Sequence, residues 1–475
     1  MDGMKRFAVL VFAGCLFLFA AIFLSRSVYD KALDLNGQIS MNKAGISVRD
    51  EIRPEEGYFT LKDMEDFEKA LNTDVMAYAA QENSWASYET NTVKVGVTGI
   101  NELAPMFENI RMIRGSFFSK ADCREKSRVI VIDDAMAWKL FGSDHVLGYD
   151  IDLFGSRFKV TGVMKSDGSV IGKLADDGSV KAYIPIQTYL DIKKDAGIFY
   201  LQYKTDSENA SGKNRGDVTA ALASMGKDPA NYFFTDYNVK KAVMAQKPAL
   251  LLFFMGLSVL AAVFFYLIKY MKKNILGMIN ECKTDYFTHV TVVYRYKILK
   301  ALLFLIFAGS VSVIVWRWIR FNLYVAPDLI PDDFTDVQYY TDLFWGKASQ
   351  AFSTAGGYTV PFRAMASNAA EAAFNWIFYT GCFAGILFFY TGLSWVKKTK
   401  IPAEKALLAC GGFLAADLGI FALLALLTGL PCVVDPKGII LFWSFVFTNL
   451  VLFLPESEGM IPKIENKERF AQTPN

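Results

Sequence analysis

Six apolar stretches, each close to the length that fills the hydrocarbon of a bilayer, constrain this chain more than any other feature of its 475 residues. About 20 apolar residues span that layer, and a charge at its centre costs about 2.5 to 3.5 kcal/mol on the insertion scale. The stretches run from Phe7 to Leu24, Ala249 to Ile268, Ala301 to Trp316, Ala373 to Leu393, Ala406 to Leu430 and Gly438 to Leu454. Between the first two lie about 220 residues that alternate short apolar strands, amphipathic helices and turn residues, enough to bury a core of their own. Composition is mixed in the same sense. At 53% hydrophobic and 21% charged residues, the chain is too apolar for a soluble domain and too charged for a bare bundle of spans. The expected fold is an α-helical membrane protein with about six transmembrane helices and a mixed α+β extracytoplasmic domain inserted between helices 1 and 2.

Positive residues in short flanks resist translocation and so set orientation. Lys5 and Arg6 precede the first span, and Lys269, Lys272, Lys273, Lys283, Arg295, Lys297 and Lys300 fill the connector after the second. Lys397, Lys398, Lys400 and Lys405 follow the fourth, whereas the stretch before it carries Asp328, Asp332, Asp333, Asp336 and Asp342. The pattern predicts a multi-pass protein of the cytoplasmic membrane, with its N-terminus cytosolic and residues 27–247 outside. It divides the chain into a first span (1–26), an extracytoplasmic domain with stalk helices (27–247), spans two and three with a basic connector (248–320), an outer loop (321–372), spans four to six (373–455) and a cytosolic tail (456–475).

Phe12-Ala13-Gly14-Cys15 has the outline of a lipoprotein cleavage site, but the apolar run continues from Leu16 to Leu24, which predicts an uncleaved anchor. Ser25–Leu35 and Asn238–Gln246 keep helical character beyond the lipid and would form a stalk. In the outer domain, Leu61–Leu71 reads as a helix capped by Thr60. Arg128–Ile132 reads as a buried strand, Asp133–Phe141 as a helix closed by Gly142, and Tyr149–Phe154 with Arg157–Val163 as a hairpin turning at Gly155.

These pieces carry a resemblance. In order, Val95-Gly96-Val97-Thr98-Gly99, Ile113-Arg114-Gly115-Ser116-Phe117-Phe118, Val129-Ile130-Val131-Ile132, Leu140-Phe141-Gly142, Val146-Leu147-Gly148, Phe158-Lys159-Val160-Thr161-Gly162-Val163 and Tyr183-Ile184-Pro185 resemble the extracytoplasmic core domain of MacB-type permeases. The resemblance covers residues 1–320. It implies a permease-like subunit of the MacB and FtsX type, paired with a second copy or a paralogue. A separate cytosolic ABC ATPase would consume ATP, and the stalk would carry its motion outward.

This chain holds no G-x-x-x-x-G-K-[ST] loop, and Gly168–Lys173 is one residue too short, so neither a catalytic nor a cofactor-binding set is expected. Family members meet their ATPase through an Arg-x-x-Glu-Ile-Gly stretch after the second span. The matching residues here, Lys272, Lys273, Ile275, Leu276 and Gly277, keep the charge and apolar spacing but lack the glutamate. They read either as the coupling segment or as a basic collar on anionic lipid. Spans five and six and the aromatic, acidic outer loop are additions to the four-span plan, and the loop is expected to pack on the stalk.

Asp417 lies mid-span, where an acid is costly, and is a candidate intramembrane polar site, structural or functional. The cysteines at 15, 123, 282, 382, 410 and 432 show no zinc spacing, and Cys123 and Cys432, both expected on the outer side, read as two free thiols in preference to the bridge that position would allow. His145 and His289 are solitary, so no metal site is expected. A net charge of +2 argues against a nucleic-acid partner. Arg215-Gly216-Asp217 and Asn209-Ala210-Ser211 read as chance matches in an exposed loop from Thr205 to Asp217. Two further functions stay open: a membrane-anchored sensor or scaffold that kept the outer domain without ATP-driven motion, and an ion-coupled carrier built around Asp417.

Overall fold

The computed structural model describes residues 2–175, 178–205, 213–282, 287–325, 335–352, 360–399 and 401–454. Helix α1 (Asp2–Phe19) continues through one π turn (Ala20–Leu24) into α2 (Ser25–Leu35), so the first span and the first stalk helix are one rod. The head follows as β1 (Lys43–Val48), α3 (Pro54–Gly57), α4 (Leu61–Ala70), β2 (Met76–Tyr88), β3 (Asn91–Ile100), α5 (Ala104–Phe107) and β4 (Met112–Gly115). Next come α6 (Lys120–Arg124), β5 (Val129–Asp133), α7 (Asp134–Phe141), β6 (Asp150–Leu153), β7 (Ser156–Met164) and α8 (Val170–Ala175). The head ends with β8 (Val180–Pro185), α9 (Ile186–Ile192), β9 (Tyr200–Lys204), α10 (Lys213–Ser224) and β10 (Tyr232–Asp236). The membrane part comprises α11 (Tyr237–Cys282), α12 (Phe287–Ile319), α13 (Val337–Phe352), α14 (Phe362–Thr399), α15 (Ala403–Thr428) and α16 (Pro436–Phe453).

Among the described residues, six helices are long and apolar enough to cross a membrane: Gly3–Leu35, Tyr237–Lys273, Ile298–Ile319, Ala364–Thr399, Ala403–Thr428 and Pro436–Phe453. Each contains or overlaps one of the six apolar stretches.

The head is a ten-stranded mixed sheet in the order β10-β1-β9-β2-β3-β8-β5-β7-β4, with β6 pairing both β2 and β7. The pairs β3/β8 and β5/β7 are parallel and the others antiparallel. Local chemistry sets the elements. Thr60 accepts from the Asp63 N–H while the Asp63 carboxylate accepts from the Thr60 N–H, a reciprocal cap that starts α4. Asp133 accepts from the Met136 N–H to start α7, and left-handed Gly142 ends it. Phe154 and Gly155, at φ +52° and +71°, make the two-residue turn between β6 and β7; both central positions of such a turn need positive φ. Ile130, Val131, Ile132, Phe158, Val160 and Leu140 then meet in one buried core.

Two expectations are corrected. Lys213–Ser224 is a helix, so Arg215-Gly216-Asp217 opens α10 instead of ending a loop; Asn209-Ala210-Ser211 lies outside the described residues. The segment 321–372 is not one loop, although Ala366 and Ala370 within it do pack on the stalk. It contains α13, whose Val337 and Trp345 are exposed, and the first residues of α14, which starts at Phe362, well before the apolar run at Ala373. Arg363, Ser367, Asn368 and Glu371 are too polar for lipid, so hydropathy ends the span there, yet an alanine-rich sequence continues as helix wherever it finds a surface to pack on.

Candidate functional site at the junction of head, stalk and membrane

Among the described residues, three helices join the head to the apolar helices. The first is α1–α2. The second, α11, is one helix of 46 residues, about 69 Å at 1.5 Å per residue. Lys272, Lys273 and Leu276 are exposed near its far end, so the predicted coupling segment and the root of the head share one rigid element. The side chains of Ile275 and Gly277 lie outside the described residues.

The third rod is α14: its apolar stretch from Ala373 to Leu393 was expected as the fourth span, but its extension back to Phe362 at the head was not. Val360 and Ala364 enter the hydrophobic core of the head, while Ala366, Ala370, Phe374 and Phe378 pack with Val28, Ala32 and Leu35 of the first stalk helix. Polar ties fix it to both neighbours. The Asn36 amide donates to the Ser367 hydroxyl at 3.1 Å, Lys240 pairs with Glu371 at 2.8 Å, and Lys247 donates to the Asn375 side-chain oxygen at 2.6 Å. The four-residue spacing of Ala366, Ala370, Phe374 and Phe378, one face of a helix, is the signal that reveals it in the sequence.

At the top of the stalk, Lys43 on β1 is 2% exposed. Its Nζ donates to the Phe107 carbonyl oxygen at 2.9 Å and lies 4.9 Å from the centre of the Tyr237 ring, the first residue of α11. Tyr237 in turn shares a 3.1 Å hydrogen bond with Tyr200 of β9. Burial drives the Lys43 pKa down from 10.5 to about 7, against the opposing pull of Glu108. This joint was not read from the sequence, where a lysine opening a strand suggests a solvated end.

Asp417 is fully buried on the face of α15 that also carries Cys410, Leu414 and Phe421, and Cys15 of α1 belongs to the same apolar cluster. Neither carboxyl oxygen has a hydrogen-bond partner among the described residues. Asparagine has almost the same shape and brings no charge to this apolar contact. Asp417→Asn is therefore expected to leave the yield and thermal midpoint of the purified chain unchanged, whereas Asp417→Lys, which forces in a longer cation, should abolish monodisperse protein on gel filtration. Loss of the folded protein in Asp417→Asn would show that the acid itself holds the bundle together.

Other sequence candidates resolve into structure. Arg114 pairs with Asp144 at 3.3 Å and reaches the His145 ring at 2.7 Å, so His145 is part of a surface ion cluster on the head. Cys123 is buried and Cys432 exposed, and both are free. Among the described residues no group of three or more His, Cys, Asp or Glu could hold a metal ion.

Residues 12–224 match the family model of the MacB-like periplasmic core domain. No curated protein matches the chain. Among solved structures, the extracellular domain of the noncanonic ABC-type transporter YknZ from Gram-positive bacteria is 18% identical with a TM-score of 0.34, over 41% of this chain and 100% of that one. The periplasmic region of MacB from Actinobacillus actinomycetemcomitans is 15% identical with a TM-score of 0.34, over 45% of this chain and 94% of that one. The chain thus carries a MacB-like periplasmic core domain on a set of six apolar helices, and through that domain it resembles the MacB/FtsX-type permeases.

Proposed function

We propose that this chain is the permease-like membrane subunit of an ABC transporter. In this reading a separate cytosolic ATPase moves the inner ends of the helices, and the stalk conveys that motion to the extracytoplasmic head for export, extraction or activation of an envelope substrate. The observation that carries it is that α11 joins the exposed Lys272, Lys273 and Leu276 to Tyr237 at the root of the head as one helix, which runs on through Pro248. A helix transmits displacement along its axis because its peptide hydrogen bonds are made within the element; Pro248, which has no N–H, removes one of them without ending the helix. The lysine-rich connectors support a cytosolic position for those inner ends and for the N-terminus, in the cytoplasmic membrane. The subunit acts as a dimer with a second copy or a paralogue, and its lysine collar meets anionic lipid.

Native pull-down of the tagged full chain in mild detergent tests the reading. An ABC ATPase is the expected companion, and Lys272→Glu with Lys273→Glu should weaken its binding about thirtyfold, as two reversed contacts of about 1 kcal/mol each would do. Complexes that hold no ATPase would sink it. The absence of a glutamate from Lys272-Lys273-Asn274-Ile275-Leu276-Gly277 favours one alternative, a sensor or scaffold that keeps the head without ATP-driven motion. That alternative predicts no ATPase in the pull-down and a head that still binds its envelope partner.

A further inference from the structure

The underside of the head holds a cleft of about 330 Å³ that force transmission does not use. Its walls come from distant parts of the chain: Lys31 and Asp34 on α2, Asn109 and Arg111 ahead of β4, the 165–169 loop after β7, and Gly429 at the end of α15. The loop rests on the fifth span, since a methyl group at Gly429 would lie 3.6 Å from the Ser169 Cα. Gly429, left-handed, is where that apolar helix stops. Lys31 stands seven residues past Leu24, the end of the first apolar run, or about 10 Å along the helix. A headgroup layer is about 5 to 8 Å deep on each side of the hydrocarbon. The cleft therefore reaches from Gly429, where the apolar helix stops, to Lys31 a few ångströms beyond the headgroup layer, and a headgroup can enter it from the membrane side.

Its charges are not balanced. Asp34 accepts from Asn109 at 2.8 Å and from Arg111, whose Nη2 is 3.3 Å from each carboxylate oxygen. Lys31 lies between Asp34 at 3.7 Å and Asp167 at 3.2 Å. Two acids thus face two cations, and Lys165 adds a third that makes no ion pair with any described residue. The Lys165 N–H donates to the Arg111 carbonyl oxygen at 2.8 Å, which holds the two basic residues side by side. Arg111 is 67% exposed and its bonds to Asp34 are long, so its guanidinium keeps donors for an incoming anion.

We propose that this cleft binds the phosphate of an anionic glycerophospholipid from the outer leaflet, with Arg111 and Lys165 as the anion-binding pair. The guanidinium fork suits a phosphate, and the excess cation rewards a headgroup with net negative charge over a zwitterionic one. A free phosphate shares this chemistry. The position beside Gly429 favours the lipid, whose acyl chains can stay in the bilayer while the headgroup enters. The inference rests on the membrane placement of the chain and not on any ATPase.

The full chain, in nanodiscs of phosphatidylcholine containing a photoreactive phosphatidylglycerol, provides the test. Labelling is expected on residues 165–169 or on α2. Unlabelled phosphatidylglycerol should compete for it, and added phosphatidylcholine should not. The double variant Arg111→Glu, Lys165→Glu should lose about tenfold or more of the label, while Lys120→Glu, a reversal on exposed α6 away from the cleft, should match the parent. Label confined to lipid-facing helices of the parent, equal competition by both lipids, or an unchanged double variant would overturn the proposal. Complete displacement by millimolar inorganic phosphate would overturn the lipid assignment. Competition in the parent chain reads the site independently of whether the variant folds.

Discussion

Gly14→Leu separates the first span from the fourth. A β-carbon at Gly14 would lie 2.5 Å from the backbone nitrogen of Phe389, closer than any van der Waals contact allows, and the listener atom is main chain, which cannot rotate away. The facing glycines of α14 are equally committed. A β-carbon at Gly381 would lie 2.7 Å from the Phe17 carbonyl oxygen, one at Gly385 2.7 Å from Leu18 Cγ, and one at Gly392 2.7 Å from Val11 Cγ2. Small residues let two helices approach until their backbones touch, and in lipid such packing is the main attraction between spans. Forcing in a leucine costs about 3 kcal/mol or more. The expected result is a thermal midpoint lowered by several degrees and a fall in monodisperse protein on gel filtration. Gly412→Leu, on the exposed face of α15 with open space around it, is the matched control and should behave like the parent. Equal stability of Gly14→Leu and the parent would refute the tight packing of α1 on α14.

Lys43 sets a second large effect, through pH. In the unfolded chain its ammonium releases a proton near 10.5, in the folded head near 7. Between those values the unfolded state binds more protons, so stability rises with pH from about 7 to about 10.5, and the cost of burying the charge is present in full below about 7. That cost is on the order of 5 kcal/mol. Lys43→Met removes it, but Glu108, also buried, would then lose its neighbouring cation. The double variant Lys43→Met, Glu108→Gln is therefore the cleaner comparison. It should melt higher than the parent at pH 7 and lower, and its advantage should shrink as the pH approaches 10. A parent whose melting profile between pH 7 and 10 has the same slope as the double variant would refute the buried ammonium.

The retained charge has a structural consequence. Lys43 touches the carbonyl of Phe107 in the head and the ring of Tyr237 in the stalk, so it sits where the two bodies must hold a fixed angle. An apolar residue would fill the same space without directional bonds.

Much of the head was legible residue by residue. Thr60, Gly142 and Gly155 mark their cap, stop and turn through interactions that reach no further than four residues, and the spans were legible for the same local reason. Lys272, Lys273 and Leu276 were legible as an exposed basic segment after the second span. Asp417 was legible as a mid-span acid, but its face was not: packing of α15 against α1 turns it away from lipid and leaves it among Cys410, Leu414 and Phe421. The outer part of α14 was missed because its partners, Asn36, Lys240 and the head core, lie far away in the chain.

The sequence by itself determined which segments are apolar enough to cross a membrane and how the local elements of the head begin and end. Transfer free energy and capping chemistry add up over short stretches, so neighbours in the chain suffice to read them. Only the tertiary structure decided that a third rod reaches the head, that a lysine is sealed into the joint and that a basic cleft stands above the fifth span. Each of those depends on groups far apart in the chain being brought within bonding distance, and burial of a charge has no signature in the residues that flank it.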